Sequence, residues 1–246
     1  MATPSTGEVA KAQATAGHGH EHHGPDGHGP GGHGPKWLQH HFDMPVQQFE
    51  AAKLGMWLFL AQEILFFSGL FVAYGVVRSE YPVAFAAGSH ELDKIMGGAN
   101  TIVLLFSSLT AALSVRSAQL GKRNEVNVYL AITIACAFLF LIIKYFEYAA
   151  KFEHGLLPGQ FWHPHIEAGH ALFPAHTHVF FGLYFMLTGL HGIHVVIGIA
   201  VLGWIMWKNN RGDFSTAYWT PVDLAALYWH LVDLVWIYLF PLLYLI

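Results

Sequence analysis

The apolar run from about Val179 to Trp207 limits what this chain can fold into more than any other stretch. As a helix it reaches across roughly 30 Å, the thickness of a bilayer's hydrocarbon core. His191 and His194 sit near its middle, three residues apart and therefore on one helix face. Gly182, Gly189 and Gly192 lie on or near that side and would let a neighbouring helix approach closely. Polar groups at such depth are costly in lipid and usually serve a purpose.

The rest of the chain has the same character. Of 246 residues 54% are hydrophobic and 11% charged, whereas a soluble domain carries about 25% charged residues. The apolar residues gather into long runs, so the expected fold is an all-α, polytopic transmembrane bundle. Its net charge of −4 says little, because charge is segregated by side of the membrane. Cys136 is the only cysteine, which excludes an intrachain disulfide, a four-Cys zinc site and a self-contained iron–sulfur cluster. In its apolar run it reads as a small buried residue. The polar N-terminus lacks the apolar core of a cleavable signal peptide.

Five spans follow in order: about Leu54 to Val77, Gly97 to Val115, Val126 to Tyr148, Val179 to Trp207, and Asp223 to the C-terminus. Trp37 to Glu50 reads as an interfacial lead-in, and Arg78 to Lys94 and Lys208 to Pro221 as polar links. The Pro- and Gly-bearing connection from about Ala149 to His176 reads as a loop outside the bilayer. Residues 1–40 form a separate region, rich in His, Gly and Pro, that cannot bury enough surface to offset its ordering entropy and is expected to be disordered. The transmembrane domain is residues 41–246.

Lys and Arg give an orientation. The tail side and its adjoining helix starts hold eight (Lys11, Lys36, Lys53, Arg116, Lys122, Arg123, Lys208, Arg211), against four (Arg78, Lys94, Lys144, Lys151) on the other side. The positive-inside rule then puts the N-terminus in the cytoplasm and the C-terminus outside.

Depth along the helices brings several polar residues to one level. Glu63 lies roughly 14 Å into the first span, and Asp233 at a similar depth in the fifth. His230 sits one turn before Asp233, and His194 approaches from the opposite direction. These residues are expected to share one buried layer between the first, fourth and fifth spans. Lys144 and Glu147, three apart in the third span, form a separate pair near the outer end. Two readings of the layer stand together: interhelical hydrogen bonds that lock the bundle, or a protonatable site at which Glu63 holds or passes a proton.

The other histidines carry weaker signals. His18, His20, His22, His23, His28 and His33 could bind a transition metal loosely, or simply keep the tail soluble. His178 and His191 have the thirteen-residue spacing of a di-haem cytochrome helix, but the fifth span offers only His230. His154, His163, His165, His170 and His176 are dense in the outer loop and resemble a metal cluster only by density.

Several motifs are specific. Thr188-Gly-Leu-His-Gly-Ile-His-Val-Val-Ile-Gly198 resembles the signature helix of subunit III of the haem-copper oxygen reductases. Leu54-Gly-Met-Trp-Leu-Phe-Leu-Ala-Gln-Glu63 is similar to the helix that bears the family's buried glutamate. Asn100-Thr-Ile-Val-Leu-Leu-Phe-Ser-Ser108, Glu147-Tyr148 and Tyr228-Trp-His-Leu-Val-Asp-Leu-Val-Trp236 match the remaining helices in the family's order. The chain looks like the short, five-helix bacterial form, which starts at the third helix of a seven-helix long form whose first two helices are set apart by a lipid-filled cleft.

The resemblance implies a subunit with no haem, copper or other metal of its own, beside a catalytic subunit I that holds them. It implies partners among the other oxidase subunits, with cytochrome c or quinol as the indirect electron donor and no nucleic acid. It also implies bound phospholipid, with Lys208 and Arg211 at lipid-headgroup positions, stabilisation of the catalytic subunit, and support of proton uptake. Glu63, His191, His194, His230, Asp233 and Glu147 are the residues of the buried polar layer. The location implied is a bacterial inner membrane. Two alternatives remain: an accessory subunit of a nitric oxide reductase system, and a stand-alone metal or proton transporter fed by the His-rich tail. Against the transporter, no helix has a central Pro/Gly break.

Overall fold

In the computed structural model the described residues are 39, 42, 44–158, 162–163 and 173–246. The His-rich tail, His165 and His170 lie outside them. The chain forms α1 (Pro45–Glu80), α2 (Pro82–His90), α3 (Lys94–Gln119), α4 (Arg123–Glu153), α5 (Thr177–Arg211) and α6 (Thr220–Tyr244). All but the nine-residue α2 are long and apolar enough to cross a bilayer.

The boundaries follow from local chemistry. Pro45 opens α1, where a missing N–H costs nothing. Pro82 disfavours helical geometry at the residue before it, and Tyr81 takes φ −125° and ψ 55°, which ends α1 and starts α2. Asp93 caps α3, its carboxylate accepting from the Ile95 and Met96 amides at 2.8 and 3.1 Å. Such a cap is worth about 1 kcal/mol. Gly212, at φ 83°, closes α5 with the Gly212 amide on the Asn209 carbonyl and the Asp213 amide on the Lys208 carbonyl.

Two sequence expectations need correction. The link 78–94 is not merely polar loop: it holds α2, whose Phe85 packs edge-on against Phe180 of α5. Lys208 and Arg211 lie in the last turn of α5 rather than in a connection. Cations there complement the helix dipole, so the helix continues past the apolar run.

The helices α3, α4, α5 and α6 form a ring, each packed on its two neighbours, and α1 lies outside it against α6. The most buried element is α6, with Trp229 and Trp236 fully enclosed. Tryptophan N–H groups find buried acceptors: Trp229 Nε1 donates to Ser107 Oγ at 3.0 Å and Trp236 Nε1 to Thr101 Oγ1 at 3.1 Å. Thr110 and Thr133 tie α3 to α4 at 2.7 Å. Tyr74 donates to the Leu242 carbonyl at 2.6 Å, tying α1 to the end of α6. In a bilayer such bonds and close contacts hold helices together, because lipid is as apolar as the helix faces.

Candidate functional site

Glu63 of α1 and His194 of α5 meet at the edge of the bundle, with Glu63 Oε2 3.2 Å from His194 Nε2. Their side chains are 12% and 16% exposed, less than the lipid-facing residues around them and more than the core. Phe67 lies edge-on to the imidazole at 5.1 Å between ring centres, and Tyr228 donates to the His194 carbonyl at 3.1 Å. His194 Nδ1 is 2.7 Å from the Leu190 carbonyl. A carbonyl can only accept, so Nδ1 carries a hydrogen. A hydrogen on either Nε2 or the Glu63 carboxyl group would make the 3.2 Å contact a hydrogen bond.

His230 and Asp233 are not part of that pair. They face α3: His230 Nδ1 is 2.6 Å from Ser108 Oγ, and Asp233 Oδ2 is 3.5 Å from Ser107 Oγ. The single layer expected from depth is therefore two clusters, one between α1 and α5 and one between α6 and α3. Depth fixes height but not direction, and α3 brings hydroxyl groups that α1 lacks at that level. Ser107 and Ser108 were legible as polar residues inside an apolar span.

His191 also parts from His194. It is fully buried among aromatics, 5.4 Å from the Phe140 ring and 5.3 Å from the Trp236 ring between centres. Neither ring nitrogen has a hydrogen-bond partner among the described residues. One helix face is wide enough for His191 to look inward while His194 looks to α1. His178 lies near Trp162, and His176 stacks on Tyr81. His191, His178 and His230 have separate sets of neighbours. Among the described residues no three His, Cys, Asp or Glu side chains converge as a metal-binding group.

Lys144 and Glu147 make a denser cluster in the other half of the bundle. Lys144 Nζ is 2.9 Å from Glu147 Oε2, and Tyr184 and Tyr244 donate to Glu147 Oε1 at 2.9 and 2.5 Å. The ammonium also donates to the Tyr244 hydroxyl at 2.6 Å and lies 4.7 Å from the centre of the Trp236 ring. The sequence marks the charged pair but not Tyr184, Tyr244 and Trp236, which come from two other helices. Their only sequence signal is a hydroxyl or indole inside an apolar span, which needs a partner. Beyond this cluster Lys151 donates to the Glu91 carbonyl, joining α4 to the end of α2.

A cleft of about 460 Å³ opens between α1, α5 and α6, lined chiefly by apolar side chains including Phe49, Met56, Val201, Trp204 and Leu224. Lys53 of α1 pairs with Asp223 of α6 at 3.0 Å. Lys208 Nζ lies 4.7 Å from the centre of the Trp204 ring, and Arg211 4.6 Å from that of Trp207. Tyr218 lines the same cleft; burial, helped by the Asp213 carboxylate, pushes its phenol above the usual range, so its hydroxyl stays neutral. Trp204 lines the cleft and carries the Lys208 ammonium over its ring, so the slot is apolar with a cation beside one wall, an arrangement suited to an amphiphile with an anionic head.

Comparison with known proteins gives consistent matches. The family model for cytochrome c oxidase subunit III matches residues 161–246. Cytochrome c oxidase subunit 3 of Synechocystis sp. is 31% identical over 197 residues, covering 78% of this chain and 74% of the relative. The protein of the same name from Corynebacterium diphtheriae is 30% identical, covering 78% and 87%. Cytochrome bo(3) ubiquinol oxidase subunit 3 of Pseudomonas putida is 26% identical, covering 78% and 84%.

Proposed function

The chain belongs to the cytochrome c oxidase subunit III family, and on that premise we propose that it serves a bacterial haem-copper terminal oxidase as its non-redox subunit. In this reading it lies in the inner membrane with its N-terminus in the cytoplasm. It packs beside the catalytic subunit I, which holds haem and copper, stabilises that subunit, binds phospholipid and supports proton uptake. The electron donor, cytochrome c or quinol, acts on other subunits.

The observation that carries the proton-linked part is the Glu63–His194 pair. Its carboxyl group and imidazole, two groups able to exchange a proton, lie 3.2 Å apart at the partly exposed edge of the bundle. The conservative variant Glu63→Gln keeps a donor to His194 Nε2 while removing the group that exchanges a proton. In the assembled oxidase it is expected to leave thermal stability unchanged and slow proton uptake during turnover by about threefold or more, a barrier change near 0.6 kcal/mol. Unchanged uptake would leave the pair a structural bridge only.

The lipid part is supported by the cleft and by the cations at the end of α5. Lys208→Ala with Arg211→Ala removes two cations, each worth about 1 kcal/mol toward an anionic headgroup, so retention of bound phospholipid should weaken roughly 30-fold. Phosphorus per complex after delipidation reads this directly. Equal phosphorus in variant and parent would remove these residues from lipid binding.

A further inference from the structure

We infer that the outward face of α1 is a docking seam for one transmembrane helix of another oxidase subunit, which presents a hydrogen-bonding side chain to Gln62. The inference rests on the oxidase-subunit reading above. It begins with how little of α1 is used. Of its 36 residues only Leu60, Phe67 and Tyr74 are buried, seven apart along one narrow line against the rest of the bundle.

The opposite face repeats with the same period. Gly55, Gln62 and Gly69 are seven apart, and Leu58, Leu65 and Val72 follow them by three, also seven apart. At about 100° per residue these two rows lie side by side, roughly opposite the buried line. Together they form the alternating three-and-four spacing of a coiled-coil seam. The seam is bare: Leu58, Leu65 and Val72 are 65%, 73% and 65% exposed. A Cβ added at Gly55 or Gly69 would meet nothing within 4 Å.

Bare leucines alone would not call for a protein partner, because lipid tails solvate them as well as another helix does. Gln62 is different. In the apolar span from about Leu54 to Val77 it lies about 12 Å from one end and about 22 Å from the other at helical rise. Its side chain, about 5 Å long, does not cross even the shorter distance to a headgroup. The amide brings two N–H donors and a carbonyl acceptor, and it has no partner among the described residues. An acyl chain offers neither donor nor acceptor, so the cost of a bare amide in hydrocarbon falls to a protein side chain at the same depth. One polar residue in an otherwise apolar seam also fixes the register of the arriving helix. Gly55 and Gly69, a turn or two to either side, let that helix come close.

The test uses the tagged native complex in its membrane. A photoreactive benzoylphenylalanine is placed at Leu58 or Leu65, with Ile102 and Phe106 on the exposed face of α3 as controls. The seam positions are expected to give one protein adduct that maps to a transmembrane helix of another subunit, and the controls lipid adducts. Gln62→Leu should lower the yield of that adduct about fivefold, and Gln62→Asn, which keeps an amide, should lower it less. Lipid adducts alone from the seam, an adduct to a second copy of this chain, or an adduct indifferent to Gln62→Leu would each overturn the seam. The haem spectrum of the unsubstituted preparation separates the two readings. With haem present, those outcomes sink the seam and leave the oxidase reading standing; with haem absent, both fall.

Discussion

Replacing Lys144 with Met is expected to destabilise the folded chain by about 3–5 kcal/mol, the cost of breaking a buried ion pair from one side. The ammonium sits in an enclosed box with the Glu147 carboxylate at 2.9 Å, the Tyr244 hydroxyl at 2.6 Å and the Trp236 ring at 4.7 Å. Without it, Glu147 keeps two phenol donors and loses its counter-charge in a medium that cannot solvate it. Glu147→Gln should do comparable harm, because it strands the ammonium. Removing both charges, as in Lys144→Met with Glu147→Met, should recover much of the loss, since apolar replacement of a whole buried pair is often close to neutral. At roughly 2–4 °C per kcal/mol for a chain of this size, the single variant should unfold about 10 °C lower in detergent, with the double variant between it and the parent. A double variant less stable than either single would show that the hydroxyl network, rather than the charge balance, holds this region.

The second large effect concerns Gly198, at the end of the motif in α5. A Cβ there would fall 2.6 Å from Trp229 Cζ3 and 2.7 Å from Cε3. The indole has no room to yield: it is fully buried and tethered through its N–H to Ser107. Gly198→Ala should therefore cost about 1–3 kcal/mol through overpacking, despite the gain of about 1 kcal/mol in helix propensity. Gly189→Ala and Gly192→Ala provide the contrast, since a Cβ at either meets nothing within 4 Å. They should be neutral or slightly stabilising by thermal unfolding in the same detergent. Equal losses at all three positions would mean that backbone flexibility, rather than contact with Trp229, explains the glycines.

The five spans were legible because length and apolarity alone demand them, and the same logic made their ends too short. Arg78 to Glu80 and Lys208 to Arg211 are polar, yet they continue their helices, because helix ends at an interface need only hydrogen bonds and a favourable dipole. Helix α2 escaped because nine residues with Pro82 and Gly88 read as a link. Among the polar residues, sequence gave depth and not direction. Glu63 and His194 meet across α1 and α5, whereas His230 and Asp233, at nearly the same level, turn to Ser108 and Ser107 of α3. Partners such as Tyr184 and Tyr244 come from helices 40 and 100 residues away from Lys144. No local pattern couples them. The family motifs identify the helices, but only the packing tells which polar side chain faces which.

The most direct measurement is a reduced-minus-oxidised spectrum of the complex purified through a tag on this chain, recorded beside that of the chain isolated alone. The account predicts a-, o- or b-type haem and oxygen uptake in the complex, with the isolated chain colourless. A chain that purifies from its native membrane with no haem-bearing partner, or that retains a haem when isolated, would contradict it.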